Sequence, residues 1–138
     1  MSYLYKLYKW VMFGTTRSTL SIEGNVLRWR NAMHHIHRDY DKPAVIWPDG
    51  TMGWYQHNRL HRDNDLPALV DVCNSIKEWH QRGELHRDND LPAVISGLHT
   101  EWWQHGQLHR EQDMPAVIFA DGYREWYQHG KFIREDLT

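Results

Sequence analysis

The chain has 138 residues, the length of one domain, with a hydrophobic fraction of 41%, slightly below the usual globular range. A formal charge of −2 with histidine neutral excludes binding to nucleic acid or anionic membranes through net charge alone. The single Cys73 excludes an intrachain disulfide and suits a reducing compartment, so a cytoplasmic location is expected. Eight Trp and seven Tyr against three Phe put much of the burial on rings with polar edges. Protonation of all 11 His would add 11 charges to −2 and give +9, so mild acid could reverse the sign of the surface.

Met1 to Phe13 is aromatic-rich and interrupted by Lys6 and Lys9. It is shorter than the ~20 apolar residues needed to span a bilayer, and no small-residue cleavage site follows it. On a helix Leu4, Tyr8 and Val11 would share a face; on a strand Tyr5, Leu7 and Val11 would do so. Residues 1–17 are expected to act as an N-terminal cap or docking segment, because a stack of repeats leaves an apolar end to cover.

From residue 18 the chain repeats itself. Trp54, Trp79, Trp102 and Trp126 are each followed eight residues later by Arg62, Arg87, Arg110 and Arg134, and Trp29 precedes Arg38 with one residue more. Pro43, Pro67, Pro92 and Pro115 stand 24, 25 and 23 residues apart. Turn-forming residues precede each tryptophan strand (Glu23-Gly24, Asp49-Gly50, Asn74, Ser96-Gly97, Asp121-Gly122) and follow it (Asn58, Gly83, Gly106, Gly130). Between them lie short β-branched and aromatic segments such as Ala116-Val117-Ile118-Phe119 and Glu125-Trp126-Tyr127-Gln128. Each proline follows a turn-prone run such as Asp63-Asn64-Asp65 and stands where a strand begins. No window longer than about ten residues keeps helical periodicity free of Gly or Pro. The expected fold is all-β: an elongated antiparallel meander over residues 18–138 of about five hairpin units, each ~24 residues long. The pattern leaves open whether Leu-His-Arg and Pro-Ala-Val form one bulged strand or two.

The spacing from Trp102 to Gly106 and from Trp126 to Gly130, the Lys/Gln-Leu step after the turn and the period near 24 resemble the MORN-type repeat over roughly residues 18 to 136. This chain carries His-Arg-Asp-x-Asp-x-Pro-Ala where the usual unit has a glycine-rich return, a variant of the kind found in large DNA viruses and phages. The resemblance implies a single-layer antiparallel sheet used as a scaffold or docking surface, sometimes near membranes, and no catalytic residues.

The residues themselves offer little catalysis. His-Arg-Asp at 37–39, 61–63 and 86–88 matches a triplet of the protein-kinase catalytic loop, but no Gly-rich loop, strand lysine or Asp-Phe-Gly accompanies it. Arg62 and Asp65, and their equivalents, are expected to pair across the turn or cap its amides. His61, His86 and His109 in successive hairpins would lie about 9.5 Å apart, too far to share a zinc ion at ~2.0–2.1 Å. His105 and His109, or His57 and His61, could meet across one turn, but two ligands are too few for structural zinc. His34, His35 and His37 are the remaining metal candidate; Asp-Asn-Asp lacks the rest of a calcium loop. No nucleophile motif is present, and no cofactor or enzymatic activity is expected.

The second aromatic beside each tryptophan carries the functional expectation. Tyr55, His80, Trp103 and Tyr127 should face away from their tryptophan neighbours, because side chains alternate across a strand. With His57, His105 and His129 at the following turns, they are the candidate partner-binding residues. The expected function is a non-catalytic protein–protein interaction module or scaffold, with another protein or a second copy as partner and no general nucleic-acid binding or membrane span. The viral or phage resemblance extends this to a factor acting on a host protein in the host cytoplasm. The alternative is a small-ligand binder that sequesters a host signalling molecule. The histidine count adds an expectation that assembly weakens from about pH 7 to 5.5.

Overall fold

The computed structural model describes residues 18–136, and the expected cap over residues 1–17 lies outside them. The described residues contain no helix. One antiparallel sheet of 11 strands runs in meander order: Thr19–Glu23, Val26–Arg30, Val45–Ile46, Met52–Gly53, Leu69–Asp71, Ile76–Glu78, Val94–Ile95, His99–Glu101, Val117–Phe119, Arg124–Gln128 and Lys131–Asp136. At ~4.8 Å per strand the sheet is about 48 Å wide. Three small hairpins stand apart from it, Tyr55–Gln56 with Arg59–Leu60, His80–Gln81 with Glu84–Leu85, and Trp103–Gln104 with Gln107–Leu108.

Trp54, Trp79 and Trp102 are the points where the chain leaves the large sheet. Trp54 donates its amide to Ala68 in the next strand, while its carbonyl accepts from His61 on the return arm of its own hairpin. Trp79 and Trp102 divide their backbone bonds in the same way, between Ala93 and His86 and between Ala116 and His109. The split occurs because the residues before the tryptophan pair with the following unit and those after it with their own hairpin. Leu-His-Arg and Pro-Ala-Val accordingly belong to separate strands, Arg59–Leu60 and Leu69–Asp71 in one unit. The arm after Trp126, Lys131–Asp136, stays in the sheet with a register shift between Trp126 and Tyr127.

Hairpin geometry follows from the turn residues. His57 and Asn58, Arg82 and Gly83, His105 and Gly106, and His129 and Gly130 all have positive φ, the pattern of a two-residue primed turn. Single bonds join successive hairpins, from the Gly83 amide to the Leu60 carbonyl, Gly106 to Leu85 and Gly130 to Leu108. The Asp-rich turns place Asn64 and Asp65, Asn89 and Asp90, and Gln112 and Asp113 in left-handed geometry, which short polar side chains tolerate best.

The core is a row of alternating large and small side chains. Cross-strand register puts Trp79 opposite Ala68 on one side and Ala93 on the other, and Trp102 opposite Ala93 and Ala116. Ala44, Ala68, Ala93 and Ala116 are all fully buried, as are Trp29, Trp54, Trp79 and Trp126 to within 8%. A methyl beside each indole leaves the ring room to lie over its neighbours, so packing density is reached with a single sheet. Ile46, Val70, Ile95 and Ile118 occupy the next row on this face and are half-buried.

Candidate functional site

Each of Trp29, Trp54, Trp79, Trp102 and Trp126 carries an arginine. The guanidinium carbons of Arg38, Arg62, Arg87 and Arg110 lie 3.8 Å from the ring centroids of Trp29, Trp54, Trp79 and Trp102, and Arg134 lies 4.4 Å from Trp126. Such a contact contributes ~0.5–2 kcal/mol as it becomes desolvated. Nη1 of each of the first four donates to the carbonyl of Pro43, Pro67, Pro92 or Pro115, an acceptor beside which the proline ring offers no competing N–H.

The rest of the fork reaches into the preceding unit. Arg62 donates Nε and Nη2 to the two carboxylate oxygens of Asp41 at 2.6 and 2.8 Å, Arg87 to Asp65 at 2.7 and 2.9 Å, and Arg110 to Asp90 at 2.9 and 3.0 Å. Arg134 lies 2.9 Å from Asp113. The main-chain carbonyls of the same four aspartates accept the indole N–H of Trp54, Trp79, Trp102 and Trp126. This corrects the expectation that Arg62 pairs with Asp65 across its own turn. The indole fixes the aspartate of the unit before it, and the stacked guanidinium can only meet that one. Hydrogen bonds from the guanidinium hold the Asp41 and Asp65 carboxyls below the usual carboxylate range.

The histidines form a second set of joints. His86 faces Asp88 through Nε2 at 3.1 Å, and its Nδ1 accepts the amide of His105 at 3.1 Å. His109 does the same with Glu111 and the His129 amide, and His37 with Asp39 and the His57 amide. Accepting an amide at Nδ1 assigns the Nε2–H tautomer to all three. The ring pairs His37–His57, His86–His105 and His109–His129 lie at 4.7, 4.4 and 4.4 Å. His105 thus stacks on a histidine of the preceding unit and His109 on one of the following unit, rather than on each other across one turn. Both nitrogens of His37 are engaged, and its neighbours His34 and His35 do not complete a ligand set; among the described residues no three His, Cys, Asp or Glu side chains are placed to hold a metal ion.

Tyr55, His80, Trp103 and Tyr127 lie on the face opposite the tryptophan row and are half-buried, while His57, His105 and His129 are exposed at the turns. The sequence did not single out the glutamates beside them. Glu78, Glu101 and Glu125 alternate with Val94 and Val117 in one cross-strand row. His80 lies 2.8 Å from Glu78, and the Trp103 indole donates to Glu101 at 2.6 Å. Burial, with the Glu125 carboxylate beside it, pushes the Tyr127 phenol up. The recurring Glu-Trp-aromatic triplet was the available signal. At the N-terminal side Gly53 replaces the glutamate, and a Cβ there would come within 2.7 Å of the Tyr55 ring. Burial likewise raises the Tyr55 phenol.

Two open grooves of about 310 and 240 Å³ separate successive Asp-rich turns, the first between His61–Leu66 and His86–Asn89, the second between His37–Asp41 and His61–Asn64. No helix of the described residues is long and apolar enough to cross a membrane. No protein-family model matches the chain, and comparison with curated proteins and with solved structures finds no match.

Proposed function

We propose that this chain is a non-catalytic interaction module of about five MORN-like units, whose docking face is the row Tyr55, His80, Trp103 and Tyr127. The observation that supports this reading is the row of half-covered carboxylates, Glu78, Glu101 and Glu125, set between aromatic rings on one broad face. Rings beside carboxylates suit an extended segment bearing Arg or Lys, through cation–π contact and charge together. The turn residues His57, His105 and His129 would border it. The resemblance extends the proposal to a viral or phage factor acting on a host protein. Capture of binding proteins by the full chain, compared with a Trp103→Ala/Tyr127→Ala variant, tests the reading: specific partners are expected to be lost, and retention of every one of them removes it.

A second reading, a small-ligand binder, draws on the two grooves between Asp-rich turns. It requires ligand-dependent thermal stabilisation across a nucleotide library, by mass action.

A further inference from the structure

The carboxylates on the two sides of the sheet are matched differently. Beside the tryptophans, Asp41, Asp65, Asp90 and Asp113 each have an arginine of this chain. On the opposite face Glu78, Glu101 and Glu125 have no Lys or Arg among the described residues. Their partners are rings: His80 for Glu78, His99 and Trp103 for Glu101, and Tyr127 for Glu125. These donors fix the direction of each carboxylate without filling it, because its two oxygens offer about four acceptor sites. The Glu78 and Glu101 side chains are 27% and 21% exposed, so a ligand lying on the face reaches them.

The interval between the glutamates selects the shape of that ligand. They follow one another in a cross-strand row, with the buried Val94 and Val117 between them. Two strand spacings of ~4.8 Å bring a carboxylate every ~9.6 Å. A β-strand laid along the row presents same-side residues at ~6.7 or ~13.4 Å and misses that interval. An α-helix returns after seven residues at ~10.5 Å and is ~1.8 Å out of step by the third carboxylate. Polyproline II returns to the same side every three residues, at ~9.3 Å, and is ~0.6 Å out of step at the same point. His80, Trp103 and Tyr127, each two residues beyond its glutamate on the same face, form a parallel aromatic row. Such rings take the second side of a three-sided helix, where proline packs on aromatic surfaces.

We propose that this face binds a proline-rich segment of a partner protein in polyproline II conformation, with Arg or Lys at every third residue. The cations meet Glu78, Glu101 and Glu125, and the prolines lie against His80, Trp103 and Tyr127. This rests on the docking face proposed above and names its ligand. Toward the N-terminus Gly53 takes the glutamate's place in the row, beyond Leu69, so the basic repeat ends at Glu78. A second copy of this chain is not such a ligand, since the closest of its five prolines, Pro43 and Pro48, stand five residues apart.

The test is fluorescence anisotropy of the full chain with two labelled peptides of equal composition, one repeating Arg-Pro-Pro four times and one with the arginines grouped at one end. The repeating peptide is expected to bind at least about ten-fold more tightly, and Glu101→Gln to remove most of that preference. Equal binding of the two peptides, binding of neither, or an unchanged preference in a folded Glu101→Gln chain overturns the proposal. The wild-type comparison decides the matter if the variant does not fold. The docking face itself stands or falls on the Trp103→Ala/Tyr127→Ala capture: partners lost there, with no preference between the peptides, keep the face and remove this ligand.

Discussion

Arg87 binds the side chain of Asp65, 22 residues before it, although Asp90 stands only three residues after it in the chain. Asp90 is bound instead by Arg110. The joints closed by Arg62, Arg87 and Arg110 thus each rest on an arginine that touches three things at once: its own tryptophan, the following proline carbonyl and the preceding aspartate. A double-mutant cycle on Arg87 and Asp65 is expected to give a coupling of ~0.5–1 kcal/mol, because the carboxylate is half exposed. The cycle on Arg87 and Asp90 is expected to give about zero. Chemical denaturation of the four variants in each cycle checks both values.

Ala93 has no room to grow. It lies between Trp79 and Trp102 in the cross-strand row and is fully buried. Ala93→Val is expected to destabilise by ~1–3 kcal/mol through overpacking, while the same change at the exposed Ala120 stays within ~0.5 kcal/mol. Urea unfolding monitored by tryptophan fluorescence separates the two.

The aspartate–arginine joints make stability depend on acid. The folded-state pKa values of Asp41 and Asp65 lie below the ordinary aspartate value of 3.8, so the unfolded chain takes up protons first as pH falls. The stabilisation they contribute is therefore present above pH 3.8 and is lost as pH drops through the lowered values. Urea midpoints of the wild-type chain are expected to fall in that range more steeply than those of an Arg62→Gln/Arg87→Gln variant. Parallel curves would contradict the assignment.

Tyr123 gives the opposite dependence at high pH. Its hydroxyl donates to Glu135 in the last strand, and that bond, chiefly, pushes the phenol up to about 12. The contribution is present below the ordinary tyrosine value of 10 and is lost as pH rises from there through about 12. A ¹³Cζ titration of the tyrosines should show Tyr123 ionising late in the wild-type chain and near the ordinary value after Glu135→Gln.

The parts of the fold that local residue chemistry dictates were legible. Gly, Asn and Asp at the turns and β-branched or aromatic residues between them indicated strands and their meander order, because these choices act over a few residues. The departure of the hairpins at Trp54, Trp79 and Trp102 was not legible, since it depends on which neighbour wins the backbone bonds on each side of the tryptophan. Nor was the partner of Arg62. Asp41 and Asp65 are both turn aspartates near a proline, and only the indole bond decides which one the fork meets. The second aromatics could be placed on the face opposite the tryptophans from alternation alone, whereas Glu78, Glu101 and Glu125 entered the site only once the strands were in register.

The crossing of each arginine to the aspartate of the unit before it makes the joints interchangeable. Removing residues 62–86 would set Arg87 directly after His61, facing Asp41 with the side chain that now faces Asp65. Such a chain can be shortened or lengthened by whole units without designing a new seam, so the number of units is free to change in inheritance while the way they lock is kept.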